Sequence, residues 1–324
     1  MSTILRIPYS VIRPIYERTS FHRSVIEEIN DIELKPAYSH CRAITKFYAK
    51  TFYMATRFLP NEKQRGIFAI YGLCRYLDNL VDDAIDLSDY SSVSLSQVDE
   101  KLEDFKCRLI SVYNGYQGDD PILIAFSDTL KTYHIPIDLP FLLIDGVRSD
   151  LEKNRFRNFQ EVYDYSYKVA SVVGLMTSRV FGYSNDSALE HAVDLGIAMQ
   201  LTNILRDIGE DLERDRIYIP ADELKMFGVS EKELFNHEVS ENFISMMKFQ
   251  IDRARKYYES ADKGIEMLNR DSRLPVYLAR YNYGRILDKI EENDYNVFDE
   301  RAFLSGFEKF SILPQIFVKM RAAS

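Results

Sequence analysis

Residues 67–83 read IFAIYGLCRYLDNLVDD, and residues 195–211 read LGIAMQLTNILRDIGED. In both stretches apolar residues recur at three- and four-residue steps without a proline, which predicts a helix with a buried face. Each stripe then runs into two aspartates four residues apart, Asp78 with Asp82 and Asp207 with Asp211. On a helix that spacing stacks side chains on one face, with Cβ atoms about 5–6 Å apart. Both carboxylates of a pair can then serve one site. One such pair on a solvated helix is unremarkable in an acidic protein. Two pairs, each continuing a stripe that should be buried, call for a compensating cation. Mg2+ suits them, because it takes oxygen ligands from one or two carboxylates and completes its shell with water and phosphate oxygens. The pairs therefore read as a divalent-metal clamp for a diphosphate.

The rest of the chain supports an all-α fold. It has 324 residues, 46% of them hydrophobic, with only 13 glycines and 10 prolines, and strand-like alternation and Asn-Gly or Asp-Gly hairpin signals are scarce. A net charge of −9 argues against a nucleic-acid groove. Cys41, Cys74 and Cys107 have no metal-type spacing and are odd in number, which suggests free thiols and a cytoplasmic setting. No apolar run approaches the roughly 20 residues of a membrane span. The opening MSTILRIPYSVIRPIYER is broken by Arg6, Pro8, Arg13 and Pro14 and is not a secretory signal. Peripheral contact with a membrane stays open, and nothing specifies an oligomeric state.

Residues 1–36 read as a proline-punctuated arm and residues 37–320 as one domain. Helices are predicted over 37–58, 62–85, 98–114, 121–133 and 139–152, with DLSDYSSVSLSQ (86–97) as a loop. Asn158 and Glu161 have capping-box spacing at the head of a helix that ends near Gly182. A long helix from about Ala188 to Arg214 carries the second acidic pair, and DRIYIP leads out of it into Pro220. Short helices follow at 221–227 and 230–235, the second opened by Ser230 and Glu233. Three more are expected near 241–269, 274–293 and 299–320.

Arg75 precedes Asp78 by three residues, about one turn, and its planar fork suits phosphate oxygens. Lys50 adds a charge from the preceding helix. The plainer reading of Arg75 is charge compensation of Asp78. Gln200, Asn203, Asp207 and Asp211 form a polar ladder at steps of three, four and four residues. Such groups buried without partners cost several kcal/mol, so metal, ligand or a structural polar network must satisfy them. Glu210, Glu213, Arg214, Asp215 and Arg216 read as a solvated helix end.

With these residues in view, the chain resembles the squalene/phytoene synthase family. The resemblance covers roughly residues 37–310 and rests on YAKTFY (48–53), CRYLDNLVDD (74–83), YSYKVASVVG (165–174), the run LGIAMQLTNILRDIGEDLERDRIYIP (195–220) and ILDKIEENDYNVFDERA (286–302). YAKTFY and RDIGEDLERDRIYIP look closer to phytoene synthases than to NADPH-dependent squalene synthases. Two departures are VASVVG, where many relatives read VAGTVG, and Asp215, where glycine is common. The resemblance implies an isoprenoid-synthase helical bundle around a central cavity. By position, Asp78, Asp82, Asn203, Asp207 and Asp211 match its metal-binding motifs. Lys50, Arg75, Gln200 and Arg301 match diphosphate-positioning sites. Phe52, Tyr71, Tyr165, Val169 and Tyr283 match the wall that holds the prenyl chains and faces carbocations, and Tyr165 is counted with the four aspartates as catalytic.

The implied activity is a prenyltransferase reaction dependent on Mg2+, with Mn2+ as the alternative ion. Two geranylgeranyl diphosphates join head to head through a cyclopropyl diphosphate to give phytoene, the first step of carotenoid synthesis. NADPH is not expected, since no glycine-rich nucleotide fingerprint occurs. The competing readings are a dehydrosqualene or squalene synthase using farnesyl diphosphate and, in another class, a non-catalytic relative serving as an assembly scaffold. Terpene cyclisation and chain elongation share the same metal logic.

Overall fold

A computed structural model describes residues 25–86, 92–118, 120–151 and 153–322, with the side chains of 82–86, 92–95 and 321–322 left aside. Among the described residues the fold is helical, with isolated β-bridges only at Arg155–Ile217 and Tyr183–Leu268. At its centre is α3 (Asn61–Asp86), after α1 (Leu34–Tyr48) and α2 (Lys50–Thr56). Ile67, Phe68, Ala69, Ile70 and Leu73 are fully buried. A stretch apolar on every face, as 67–70 is, belongs inside a bundle, and α3 packs against α1, α4 (Ser92–Tyr113), α5 (Pro121–Tyr133) and α6 (Asp138–Ser149). Val25 and Ile26 are buried in the same core, so the expected arm contributes to it; residues 1–24 lie outside the described set.

Several helix ends follow from local chemistry. Asp120 caps α5 by accepting from the backbone N–H of Ile122 and Leu123, with Pro121 at the first position, where its missing N–H does no harm. Asn158 caps α7 (Phe159–Ser166), and Ser230 with Glu233 forms a full capping box. The helix after the serine-rich stretch starts at Ser92, six residues before the predicted 98, and residues 87–91 lie outside the described set. Ser305 and Glu308 cap a late start for the last segment. The helix predicted over 299–320 is two, Gly306–Ser311 and Leu313–Ala322.

Three departures from regular helix shape the interior. The helix predicted over 37–58 is interrupted at Ala49, whose φ of −122° and ψ of 58° separate α1 from α2. The helix ending near Gly182 contains a π-turn over Tyr167–Ser171 between α7 and α8 (Val172–Phe181). The long helix stops at Arg206. Asp207, at φ −104° and ψ 13°, separates α9 (Ser187–Arg206) from α10 (Ile208–Glu213). That backbone region is sparsely used and frequent at active sites.

After α11 (Ala221–Phe227) and α12 (Glu231–Phe235), α13 (Glu241–Ile265) packs along α9, and α14 (Arg270–Glu292) packs against α9, α13 and α2. Two hydrophobic cores result, one around α3 and one around α9 and α13, and Tyr167 and Leu195 pack against both.

Where α9 crosses the π-turn there is no room for a side chain. A Cβ added to Gly196 would lie 2.4 Å from Ser171 Cα, and Ser171 Oγ donates to the Val193 carbonyl at 2.8 Å. The close approach at Ser171 is possible because a glycine sits opposite it on the partner helix. Gly196→Ala is therefore expected to force these helices apart and destabilise the chain by about 1–3 kcal/mol. Ser171→Ala should lose about 1 kcal/mol. Urea unfolding midpoints at constant slope check both.

Candidate active site

A cavity of about 530 Å³ lies between the two cores. Asp78 reaches it from α3 and Gln200, Asn203, Arg206 and Asp207 from α9 and its end, while Phe52, Tyr71, Val169 and Tyr283 line the wall. The break at Ala49 starts α2 afresh, and α2 presents Phe52, Ala55 and Thr56 to the cavity. Phe52 and Tyr71 form an aromatic pair, with ring centroids 6.0 Å apart. Burial pushes the Tyr71 phenol up; Arg75 opposes the shift and Asp78 adds to it.

Charge is concentrated at one end. Asp207 accepts from Arg206 Nε at 2.7 Å and from Arg301 Nε at 2.9 Å. Arg301 also lies 3.4 Å from Glu210. Asn203 Nδ2 donates to Gln200 Oε1 over a long 3.5 Å. The Asn203 side-chain oxygen, Oδ1, is buried with no hydrogen-bond partner. Arg75 does not line the cavity; its guanidinium stacks 4.3 Å above the Tyr48 ring. Lys50 is exposed at the start of α2, and its charge adds to burial in lowering the Lys309 pKa. Asp82 lies on α3 one turn beyond Asp78, and its side chain is outside the described set.

Asp211 takes a different path from the predicted ladder. Once the helix breaks at Asp207, Asp211 lines a small neighbouring pocket with Arg216 and Tyr218 instead of the main cavity. Burial, reinforced by the Asp207 charge, pushes its carboxyl up to about 7.

Sequence reasoning missed a network beside it. The Tyr165 hydroxyl donates to Asp150 Oδ2 at 3.1 Å, Tyr218 donates to Oδ1 at 3.2 Å, and Arg216 donates to the Asp150 carbonyl at 2.7 Å. Tyr165 also stacks on Tyr218, with centroids 5.2 Å apart. Burial, and then Asp150, raise the Tyr165 pKa well above its ordinary value. Arg216, read from the sequence as part of a solvated helix end, is 8% exposed. The Ile217 N–H donates to the Asn154 carbonyl at 2.9 Å and folds the exit strand back over it. The apolar IYIP that follows RDR was the available signal.

The oxygen donors suit a hard cation: carboxylates at Asp78 and Asp207 and an amide oxygen at Asn203 that is buried without a donor. Among the described residues no three His, Cys, Asp or Glu side chains converge on one point. Asp78 of α3 and Asp207 at the end of α9 each bring a carboxylate to the cavity, and Mg2+ uses one or two carboxylates when phosphate and water fill its remaining positions.

The raised Asp211 pKa has a stability signature. The unfolded carboxyl ionises near pH 4 and the folded one near 7, so the fold loses stability as pH rises through that window. Without divalent cations, Asp211→Asn is expected to stabilise the protein by about 2–4 kcal/mol at pH 8 and to leave it unchanged at pH 4. Thermal melts at the two pH values check this.

Known proteins are similar to this chain. The chain is 43% identical over 295 residues to a 15-cis-phytoene synthase from Synechocystis, covering 87% of this chain and 84% of that protein. It is 41% identical over 295 residues to another from Synechococcus elongatus, covering 87% and 92%. A dehydrosqualene synthase crystal structure superposes with a TM-score of 0.81 at 26% identity, covering 90% of this chain and 98% of that one. The family model for squalene/phytoene synthase matches residues 45–308. The chain belongs to the squalene/phytoene synthase family.

Proposed function

We propose that this chain is a prenyltransferase that condenses two geranylgeranyl diphosphates head to head, through a cyclopropyl diphosphate, to phytoene. The carrying observation is the sorting of side chains along one cavity. Asp78, Gln200, Asn203, Arg206 and Asp207 gather its polar groups, while Phe52, Val169, Leu195, Met199 and Tyr283 give it an apolar and aromatic wall. A diphosphate fits the first set and a prenyl chain the second. The identity to two 15-cis-phytoene synthases favours the twenty-carbon substrate over farnesyl diphosphate.

Asp78, Asn203 and Asp207, which line the cavity, with Asp82 one turn beyond Asp78, are the residues that would hold Mg2+, with Mn2+ as the substitute; Asp211, read as a further ligand from its spacing, lies in the adjoining pocket and would support the site from there. Bound there, the metal would supply charge neutralisation for the departing diphosphate. The residues of the chain do the rest. Arg206 and Arg301 already sit on Asp207, placing fixed positive charge where leaving oxygens gather; Arg75, stacked on Tyr48, and the exposed Lys50 would add to it from outside the cavity wall. Tyr165 has its hydroxyl turned to Asp150, so its ring serves the cavity as an aromatic surface. The rings of Phe52, Tyr71 and Tyr283 line the same space. An aromatic face stabilises a desolvated cation by up to about 2 kcal/mol, and an apolar wall keeps water from trapping it as an alcohol.

We further propose that no NADPH takes part and that residues 37–320 act as one catalytic domain. A cytoplasmic location, peripheral on a membrane or free of it, goes with the reading. Among the described residues no helix is long and apolar enough to cross a membrane.

Mass analysis after incubation with geranylgeranyl diphosphate and Mg2+ tests the proposal. A forty-carbon product of unchanged saturation with or without NADPH is expected. A thirty-carbon product made only from farnesyl diphosphate, or no product from either substrate, would overturn it. Asp78→Ala and Asp207→Ala should each lower kcat by at least about a thousandfold, an effect on the order of 4 kcal/mol, with unchanged helicity by circular dichroism. Chelation of divalent cations should abolish turnover, and added Mg2+ should restore it.

A further inference from the structure

One face of α9 walls the cavity along the length of the helix. Asp207, Asn203, Met199, Leu195 and His191 follow one another at four-residue steps, and all line it. At 1.5 Å per residue, His191 and Asp207 are about 24 Å apart along the axis. The chemistry changes along this face: polar at Asp207 and Asn203, apolar through Met199 and Leu195, then polar again at His191.

An imidazole is out of place in a hydrocarbon chamber unless its polar atoms are engaged elsewhere. Here they are. Ser260 Oγ, on α13, lies 3.4 Å from His191 Nδ1 and donates to Asp194 Oδ2 at 2.5 Å. That carboxylate oxygen is 3.9 Å from the same ring nitrogen. The cluster restrains rotation of the ring. Retreat toward α13 is also blocked, because a Cβ placed on Gly264 would lie 2.3 Å from His191 Cβ. The backbones are already as close as a glycine permits. One turn further from the acidic end, Ala188 also lines the cavity. Space therefore continues past the ring, bounded there by a small side chain.

We propose that His191 is a constriction near the far end of the prenyl chamber, a specificity-determining residue that sets the longest chain accepted, with Ser260 and Asp194 as its positioning residues. This rests on the reading of the cavity as a prenyl diphosphate site. Trimming the imidazole widens the passage to the part of the chamber at Ala188, and a bulkier apolar ring closes it.

The test is competition among fifteen-, twenty- and twenty-five-carbon prenyl diphosphates, read as ratios of kcat/KM. His191→Ala is expected to raise use of the twenty-five-carbon substrate relative to the twenty-carbon one by at least about tenfold, since a single methylene in an apolar pocket is already worth about that much. His191→Phe should shift preference toward the fifteen-carbon substrate. Ser260→Ala, which keeps the ring and removes its tether, should relax the ratio several-fold. Inhibition by inorganic diphosphate, which probes the other end, should be unchanged in all three. Ratios within twofold of the parent in the His191 variants that retain the parent melting temperature would overturn the proposal. If His191→Ala fails to fold, His191→Phe and Ser260→Ala decide it by the same ratios. A parent chain that turns over none of the three substrates would instead remove the functional reading and this proposal with it.

Discussion

Negative charge that α3 and the α9–α10 junction bring to one cavity is the constraint on which the rest of the structure depends. Asp78 and Asp207 line the same cavity, and Asp211, close behind, is driven toward neutrality by burial and by Asp207. A protein that sought only stability would place apolar side chains there. This chain instead neutralises Asp207 with two guanidiniums and leaves the Asn203 side-chain oxygen without a donor. The arrangement makes sense if a cation and an anionic ligand complete it, and the two together solve an electrostatic problem that neither solves alone.

The helix breaks follow from this demand. An unbroken helix through residues 188–214 would have carried Asp211 on along the same face; the turn at Asp207 separates the two carboxylates into adjoining spaces. The π-turn at Tyr167–Ser171 sits where α9 crosses closest, and Val169 and Ala170 from it line the cavity. π-turns are uncommon and concentrate at functional sites. Here one lies between a tyrosine whose hydroxyl is tied to Asp150 and a serine tied to Val193.

The legible parts of the fold are those that local chemistry decides. The span of α3 follows from its apolar run and the proline before it. Asp120-Pro121 marks the start of α5, and Ser230 with Glu233 a short helix, as expected. Asp78, Gln200, Asn203, Asp207, Phe52, Tyr71, Val169 and Tyr283 converge on one cavity because their spacing places them on faces that other helices must cover. What sequence alone did not reveal is set by packing across the bundle. Nothing at Ala49 announces a break. The π-turn depends on Gly196 of another helix, and Arg216 is buried only because its strand folds back over Asn154. Asp150 and His191 carry no motif; they acquire meaning from the neighbours that the fold gives them.

The central claim is that both acidic helices act as one clamp that needs metal and diphosphate together. Calorimetric titration of inorganic diphosphate, with and without Mg2+, into the parent, Asp78→Asn and Asp207→Asn tests it most directly. The account requires binding by the parent only when Mg2+ is present, and loss of that binding in each single variant. Full metal-dependent binding retained by either variant, or tight binding by the parent without metal, would contradict it.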